Sequence, residues 1–494
     1  MIRIKQDDKD DRLILAGIFC IAFLFVFSST YNPFNMRRMH IDSSNYITIA
    51  QGITRGELPY RDFVDNKGPL TYLISVPGLA LGGFTGVWLT ELLLACISVL
   101  FAYKTALFFT GKRRALFAAA CTFIEALVFF SVNAGTEEYS LPFLMVSFYI
   151  FTKYFFSEQK DISFFELIAL GFCCACAVSI KLNMFPLWLG FCAVVFIETL
   201  RTGRFAALGK YILGFSLGLL IVAVPVFFYL KLNGIFSDFI AQVVAGGAAR
   251  GFGGGGLKQL AKTFYATLYR SYCIVPLVAG VFWSISAYKK PFFPFAAGYT
   301  LSYILSVLFL SFSPGSPFYN IILVPFFVPP IASLFEFAKR SFSALKYKNL
   351  AFILFFCVLL SEEILKYVDD AFENFHDNSG KELIAAGKMI DENTAPDDKI
   401  ISLGCGGYIY LFTERRAASK YFYQGSGVDL IPGSRETFLS DVLNTKPAII
   451  AIYTAGENGR YDYLPAWYKP VFDMIERDYT PLSGQNGYAL FKRK

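Results

Sequence analysis

Residues 211–231 read YILGFSLGLLIVAVPVFFYLK, and the only charge in this stretch is the terminal Lys231. About 20 consecutive apolar residues suffice for a helix to cross the hydrocarbon core of a bilayer. Similar stretches recur from residue 13 to residue 366, so the sequence predicts a polytopic membrane protein of about eleven spanning helices. The predicted spans are 13–29, 86–110, 115–132, 140–156, 163–180, 184–200, 211–231, 267–288, 291–311, 319–337 and 349–366.

The composition of the 494-residue chain agrees with this prediction. Hydrophobic residues make up 55% and charged residues only 17%, against about 25% charged residues in soluble domains. These values exclude a soluble enzyme, a disulfide-rich secreted module and a disordered chain. Nine of the ten cysteines lie in apolar stretches, where a thiol behaves as a small hydrophobe, so no disulfide framework is predicted. The net charge of +7 comes from basic residues in short loops and does not indicate a nucleic-acid partner.

The basic residues also predict the orientation in the membrane. They collect in loops at 112–114, 201–210, 289–290 and 339–348, and short loops rich in Lys and Arg remain in the cytoplasm. With eleven spans, the N-terminus is predicted to be cytoplasmic and the C-terminal region extracytoplasmic, in a protein of the plasma (inner) membrane.

One apolar segment, 69–84, is ambiguous and would change the number of spans. It is short for a crossing, begins at Pro69 and contains Pro77 and three glycines. We predict a re-entrant or interfacial segment inside a first outer loop that extends over residues 30–85, since a broken backbone at membrane depth must be covered by protein.

The composition changes near residue 367, and this change predicts a second domain. Residues 1–366 form the predicted membrane domain, and 367–494 form a small extracytoplasmic α/β domain, because β-like runs alternate with amphipathic helical stretches. The predicted strands are 399–403, 448–453 and 488–492, and the predicted helices are 381–391, 436–443 and 466–478. The glycines around residues 404–407 predict a tight turn after the first strand.

The first outer loop carries the most informative motif, MHIDSSNYITIAQGITRGELPYRDFVDNKGPLTYLI, at residues 39–74. Carboxylates and cations held at a membrane surface are costly to desolvate unless they are paired or used. The alternative interpretation is a solvated loop with local salt bridges, which contribute little to stability.

This loop resembles the first outer loop of GT-C membrane glycosyltransferases. Its nearest likeness is to the glycosyltransferase family 39-like group of protein O-mannosyltransferases and lipid A aminoarabinose transferases. The resemblance consists of Asp42 followed by Tyr46, the segment G-E-L-P-Y-R-D-F at 56–63, and K-G-P-L at 67–70, where that group has K-P-P-L. Weaker matches follow in the same order as in the family: Thr136-Glu137 before a span, Lys181 at a span end, and Phe318-Tyr319 before a Pro-containing span.

The resemblance implies an enzyme that moves a sugar from a polyprenyl-phosphate donor to a lipid, glycan or protein acceptor at the outer face. A carboxylate can accept a proton from the acceptor hydroxyl, and cations can stabilise the departing phosphate. The implied catalytic carboxylates are Asp42 and Glu137. The implied phosphate-binding cations are Lys67, Arg61 and Lys181. Tyr46, Glu138 and Tyr319 are expected to shape the pocket, and Glu138 is the alternative to its neighbour as the second carboxylate.

The chain departs from the family pattern in ways that limit the inference. Ser43 and Asn45 stand where the aminoarabinose transferases often have acidic and Arg residues, and Glu137 is longer than the family's Asp. The reaction class is therefore predicted, whereas the sugar and the acceptor are not. No cluster of ligands predicts a metal site, and a divalent metal stays open because related enzymes differ.

Two other classes of function are alternatives for a polytopic membrane protein. A transporter or lipid flippase would show repeated halves and broken helices paired near the midplane, and the sequence has no such repeat. A non-catalytic scaffold that displays the outer domain would leave the polar cluster of Asp42 to Lys67 unexplained.

Overall fold

The structure is a computed structural model, and it describes most of the chain. The described residues are 2–34, 40–129, 135–248, 256–269, 272–312, 317–341, 354, 361–376, 379–404, 406–424, 428, 431–454, 464–483 and 488–494. Most of the predicted span 349–366 lies outside the described residues.

The apolar blocks of the sequence are helical, because an α-helix satisfies its backbone hydrogen bonds within one segment. The helices before residue 250 are α1 Ile2–Phe27, α2 Ile41–Thr54, α3 Leu70–Leu73, α4 Ser75–Ala106, α5 Lys112–Phe129, α6 Thr136–Phe156, α7 Phe164–Ile180, α8 Pro186–Arg201, α9 Phe205–Leu232 and α10 Phe236–Phe239. The later helices are α11 Gly256–Leu268, α12 Ile274–Ser286, α13 Phe293–Ser311, α14 Val328–Ser341, α15 Ser361–His376, α16 Ser379–Glu392, α17 Ser434–Thr445 and α18 Lys469–Asp478. A π-helical turn at Ile240–Ala245 and 3₁₀ segments at Leu182–Met184, Pro317–Phe327, Gly407–Phe412 and Ala466–Tyr468 complete the helical part of the described chain.

Five helical segments of the described chain are long and apolar enough to cross a membrane: Leu70–Ala106, Leu182–Arg201, Phe205–Leu232, Phe293–Ser311 and Tyr319–Lys339. Phe164–Ile180 and Ile274–Ser286 are apolar but shorter. The chain is thus a mostly helical protein with several membrane-length helices, and the number of eleven spans stays a prediction.

The ambiguous segment 69–84 folds back on the helix that follows it. Gly82 and Gly83 have non-helical backbone angles, and φ at Gly83 is +57°, a value that favours glycine. A Cβ on Gly86 would lie 1.9 Å from the carbonyl oxygen of Gly78, so the two backbones touch where a straight helix would hold them about 12 Å apart. The chain therefore reverses direction at Gly82 and Gly83, and the re-entrant placement of this segment in a membrane stays a prediction.

The C-terminal region contains a five-stranded mixed sheet with the order β2-β1-β3-β5-β4. The strands are β1 Lys399–Leu403, β2 Arg416–Ala417, β3 Ile449–Tyr453, β4 Tyr479–Ser483 and β5 Tyr488–Arg493. The central strands β1 and β3 pair in parallel, and β5 runs antiparallel to β3. The two strands absent from the sequence prediction are edge strands: β2 has two residues, and β4 contains Pro481, a residue that sheets tolerate at their edges.

The segments that connect the strands pack directly against the first loop of the helical part. The backbone N–H of Gly407 donates to Oδ1 of Asn45 at 2.7 Å, and the N–H of Val64 donates to the carbonyl of Lys420 at 3.0 Å. The ring of Phe63 meets the ring of Phe422 edge-on at 5.4 Å. Helix α2 and the loop after it therefore contact the C-terminal region.

Candidate functional site

A buried ion pair joins α6 to the end of α7. Nζ of Lys181 donates to Oε1 of Glu137, and the two side chains are only 13% and 9% exposed. Oε2 of Glu137 accepts from the hydroxyl of Thr136 at 2.5 Å. Glu137 stands in the first turn of its helix, where the N-terminal dipole favours a negative charge. Glu137 and Lys181, which the sequence predicted near the ends of two different spans, thus form one ion pair.

The ammonium group of Lys181 also lies against an aromatic ring. Its Nζ is 3.5 Å from the centroid of Tyr319, a distance typical of a cation–π contact. Tyr319 belongs to the 3₁₀ segment Pro317–Phe327, so a third part of the chain reaches the ion pair. Burial lowers the pKa of Lys181 to about 8, although Glu137 acts in the opposite direction.

Gly68 brings the first outer loop to the same place. Its backbone N–H donates to the carbonyl of Ile180 at 3.0 Å, and the hydroxyl of Thr71 donates to the same oxygen at 3.0 Å. A Cβ on Gly68 would lie 2.0 Å from the carbonyl oxygen of Ser179, so only glycine allows this approach. Lys67 precedes Gly68 and Lys181 follows Ile180, so the hydrogen bond between Gly68 and Ile180 brings the backbones of the two lysines together.

Lys67 is half-buried above the aromatic side chain of α2. Its Nζ donates to Oδ1 of Asn66 at 2.8 Å and lies 5.7 Å from the ring centroid of Tyr46. It acts electrostatically on both Glu137 and Lys181. Two cations thus lie close together beside Tyr46 and Tyr319, and their binding of a phosphate stays a prediction.

Asp42 lies near the two lysines, in the first turn of α2. It stands one helical turn before Tyr46, so both side chains lie on one helix face. Its carboxylate is half-buried, and its charge influences Tyr46, Asp65 and Lys181.

Asp65 is a further carboxylate at the site and was not among the residues singled out from the sequence. Its Oδ2 accepts from the hydroxyl of Tyr72 at 2.9 Å, and its Oδ1 accepts from the N–H of Asn66 at 2.6 Å. Burial raises its pKa, and the nearby charge of Lys67 acts against this rise. The signal that could have identified it is its place two residues before Lys67 in the same motif.

Arg61 does not join the cluster. Its guanidinium pairs with the adjacent Asp62 at 3.0 Å, and its side chain is 54% exposed. The preceding residue, Tyr60, is turned inward with 1% exposure, so the chain directs the next side chain to the surface. The expectation that Arg61 contacts a donor phosphate is not supported by this placement.

Glu138 faces a different space from Glu137. Its Oε2 accepts from the N–H of Gly135 at 3.2 Å, and its side chain lines a small cavity together with Glu91, Phe25 and Tyr139. Of the two adjacent carboxylates, Glu137 is the one that contacts Lys181.

The cluster as a whole has two cations and three carboxylates within one region: Lys67, Lys181, Asp42, Asp65 and Glu137. Such a site offers proton acceptors beside donors for a phosphate anion. Among the described residues, no group of three or more His, Cys, Asp or Glu side chains could hold a metal ion.

Comparison with known families assigns the membrane part of the chain. Residues 5–332 match the model of the family described as the competence-induced protein Ccs4 N-terminal domain. The chain belongs to this family. The match includes every residue of the cluster, and the sheet of the C-terminal region lies beyond it. No curated protein matches the chain.

Solved structures establish the fold of this Ccs4 family member. ArnT from Cupriavidus metallidurans bound to undecaprenyl phosphate has 15% identity and a TM-score of 0.58, with 97% of each chain covered. The same protein in the apo state gives 14% identity and a TM-score of 0.60, again with 97% of each chain covered. The oligosaccharyltransferase AglB from Archaeoglobus fulgidus, in complex with an inhibitory peptide and a dolichol-phosphate, has 14% identity and a TM-score of 0.54. That match covers 98% of this chain and 74% of AglB.

These neighbours have the GT-C fold, and the Ccs4 family member shares it over almost its whole length. The GT-C fold predicted from the first-loop motif is therefore confirmed. At identities near 15% the likeness concerns the fold, and what the neighbours bind is a statement about them.

Proposed function

We propose that this chain is a membrane glycosyltransferase that uses a polyprenyl-phosphate-linked sugar as donor. The observation that carries the proposal is the proximity of Lys67 and Asp42, both from the first outer loop, to Lys181 at the end of α7. The GT-C fold and the binding of undecaprenyl phosphate or dolichol-phosphate by two proteins of that fold support it.

In the proposed reaction, the oxygen of the acceptor hydroxyl attacks C1 of the sugar, and Asp42 accepts the proton of that hydroxyl. The bond from C1 to the phosphate oxygen breaks, and the phosphate keeps the electron pair. The negative charge that grows on the leaving phosphate is stabilised by the ammonium groups of Lys67 and Lys181, and cations placed beforehand contribute most when charge develops. Products are the glycosylated acceptor and the polyprenyl phosphate.

Glu137 has a supporting part in this mechanism. It holds the ammonium group of Lys181 in place. Because the two charges are buried together, the net charge of the ion pair is zero before the donor binds. Of the charges that face the donor, Lys67 is then the one that provides the first attraction for the phosphate. Tyr46 and Tyr319 form apolar walls beside the two ammonium groups.

The proposed membrane arrangement follows from the basic loops. The N-terminus and the loop 112–114 lie in the cytoplasm, and the cluster and the C-terminal sheet lie on the outer side of the cell membrane. The acceptor is a lipid, a glycan or a protein of the cell envelope.

The direct test is sugar transfer by the purified chain in lipid nanodiscs. A panel of polyprenyl-phosphate hexoses and pentoses, labelled in the sugar, is incubated with cell-envelope acceptors and the wild type, Asp42→Asn or Lys67→Ala. We expect transfer by the wild type with one of these donors and at least a hundredfold less by each variant. Equal transfer by all three proteins would remove the site assignment, and movement of the donor across a bilayer without transfer would favour the transporter.

A further inference from the structure

Gln242 links a distant part of the chain to the loop that carries Lys67. It lies in the π-helical turn Ile240–Ala245, and it is 5% exposed. Its Nε2 donates to the carbonyl of Tyr60 at 2.6 Å, and its Oε1 accepts from the N–H of Asp65 at 3.2 Å. One amide side chain therefore satisfies a backbone acceptor and a backbone donor at the two ends of segment 60–65.

The backbone at Tyr60 needs such support. Its φ is +68°, a conformation that is strained for a bulky residue and persists only where the surroundings hold it. The ring of Tyr60 packs edge-on against Phe239, 5.5 Å away. Phe239 immediately precedes the π turn, so the same short stretch holds both the backbone and the side chain of Tyr60.

A hydrogen-bonded route leads from Gln242 to Lys67. Gln242 bonds the backbone of Tyr60, and the hydroxyl of Tyr60 donates to the carbonyl of Lys67 at 2.8 Å. At the other end of segment 60–65, Oδ2 of Asp65 accepts from the hydroxyl of Tyr72 at 2.9 Å. The route therefore ends on the backbone from which the Lys67 side chain extends.

The backbone around Gln242 forms a π-helical turn, which also indicates a functional role. A π turn is rare, is less favourable than an α turn and occurs frequently at functional sites. Here it coincides with the burial of Gln242 and of the adjacent Val243, which is 1% exposed. The turn thus directs a polar side chain inward at the point where segment 60–65 passes.

From these contacts we infer that Gln242 is a positioning residue for the donor phosphate, acting through the backbone of segment 60–67 on the ammonium group of Lys67. The inference rests on the proposed function and deepens it. Gln242 does not contact the phosphate itself. It determines the position of the Lys67 ammonium group, which does.

A double-mutant cycle with undecaprenyl phosphate as the probe tests this role. The affinity of the full-length chain in nanodiscs is measured at low salt for wild type, Gln242→Ala, Lys67→Ala and the double variant. We expect Gln242→Ala to bind about tenfold more weakly than wild type. Because Gln242 acts through Lys67, the double variant should bind no more weakly than Lys67→Ala, since residues of one network are not additive.

Two further variants separate positioning from a general loss of stability. Gln242→Glu keeps the size and the acceptor of the side chain, but an ionised carboxylate cannot donate to Tyr60, so we expect it also to weaken binding about tenfold. Tyr479→Phe is the control. Tyr479 is 4% exposed, and its hydroxyl donates to the carbonyl of Pro447 at 2.7 Å in the sheet region, so the loss of this bond should lower the melting temperature without altering the affinity.

The outcomes are distinct. Wild-type affinity in Gln242→Ala, or additive losses in the double variant, would overturn the role of Gln242 while the proposed function stands. An equal loss of binding in Tyr479→Phe would overturn it as well, since the effect would then be one of stability. If the wild type does not bind undecaprenyl phosphate, the proposed function fails, and the inference falls with it.

Discussion

The backbone N–H of Gly68 donates to the carbonyl oxygen of Ile180 at 3.0 Å. Each of these residues is the chain neighbour of a lysine, so this one bond sets Lys67 beside Lys181 although 114 positions separate them. The contact joins the first loop to the end of α7, and the candidate phosphate site depends on it.

Replacement of Gly68 by Ala tests this contact. The added Cβ would lie 2.0 Å from a backbone oxygen, and backbone cannot move aside as a flexible side chain can. We expect a loss of about 1–3 kcal/mol in the free energy of unfolding and at least tenfold weaker binding of undecaprenyl phosphate. Gly209→Ala is the control, because a Cβ there meets no atom within 4 Å. Unchanged binding in Gly68→Ala would show that the contact does not position Lys67.

Variants of the ion pair between Glu137 and Lys181 should have different effects on stability and on activity. Lys181→Met leaves a buried carboxylate without its cation, and the loss of one partner of such a pair costs about 3–5 kcal/mol. The double variant Glu137→Gln/Lys181→Met removes both charges and should recover most of this stability, as measured by thermal unfolding. Sugar transfer should stay at least tenfold below wild type in both. A double variant that transfers sugar normally would exclude Lys181 from the reaction.

The charge of Lys181 predicts a pH dependence above neutrality. Burial lowers its pKa to about 8, so the ammonium form predominates below pH 8 and is lost as the pH rises through that value. At pH 9 the charged fraction falls to about one tenth, and the affinity for undecaprenyl phosphate should fall accordingly. Lys181→Arg should remove the dependence between pH 7 and 9, since a guanidinium group stays charged. The same decline in both proteins would assign the titration to another group.

Gly407 should affect the acceptor side rather than the phosphate side. Its N–H bonds Asn45 on α2, and a Cβ there would lie 2.5 Å from Oγ1 of Thr48. Gly407→Ala should therefore displace α2 and with it Asp42. We expect at least tenfold slower sugar transfer, with the affinity for undecaprenyl phosphate changed less than threefold. A variant that loses both equally would indicate that the sheet stabilises the whole site.

Arg61→Ala should change activity and binding very little, despite the place of Arg61 in the first-loop motif. The side chain is exposed and its partner is the adjacent Asp62, and exposed pairs contribute about 0–1 kcal/mol. Sugar transfer and undecaprenyl phosphate binding should both stay within twofold of wild type. A tenfold loss would show that Arg61 moves to the phosphate when the donor binds.

The sequence predicts those parts of the fold that depend on local patterns. Hydropathy indicates the helical membrane part, and the segments around Asp42, Lys67 and Lys181 resemble GT-C motifs strongly enough to predict the fold. The outward direction of Arg61 could not be predicted, because it depends on the positive φ of Tyr60 and on the burial of that ring. The role inferred for Gln242 has no signal in the sequence, since an amide in a loop gains meaning only from the backbone groups it meets.

In the proposed reaction, Lys67 binds the phosphate of the donor and Asp42 activates the acceptor, at opposite sides of one bond. The most direct measurement is the affinity of the full-length chain for undecaprenyl phosphate in the wild type, Asp42→Asn and Lys67→Ala. We predict wild-type affinity or tighter in Asp42→Asn, because a negative charge is removed, and at least tenfold weaker binding in Lys67→Ala. Equal affinity in all three proteins, or weaker binding in Asp42→Asn than in Lys67→Ala, would contradict the account.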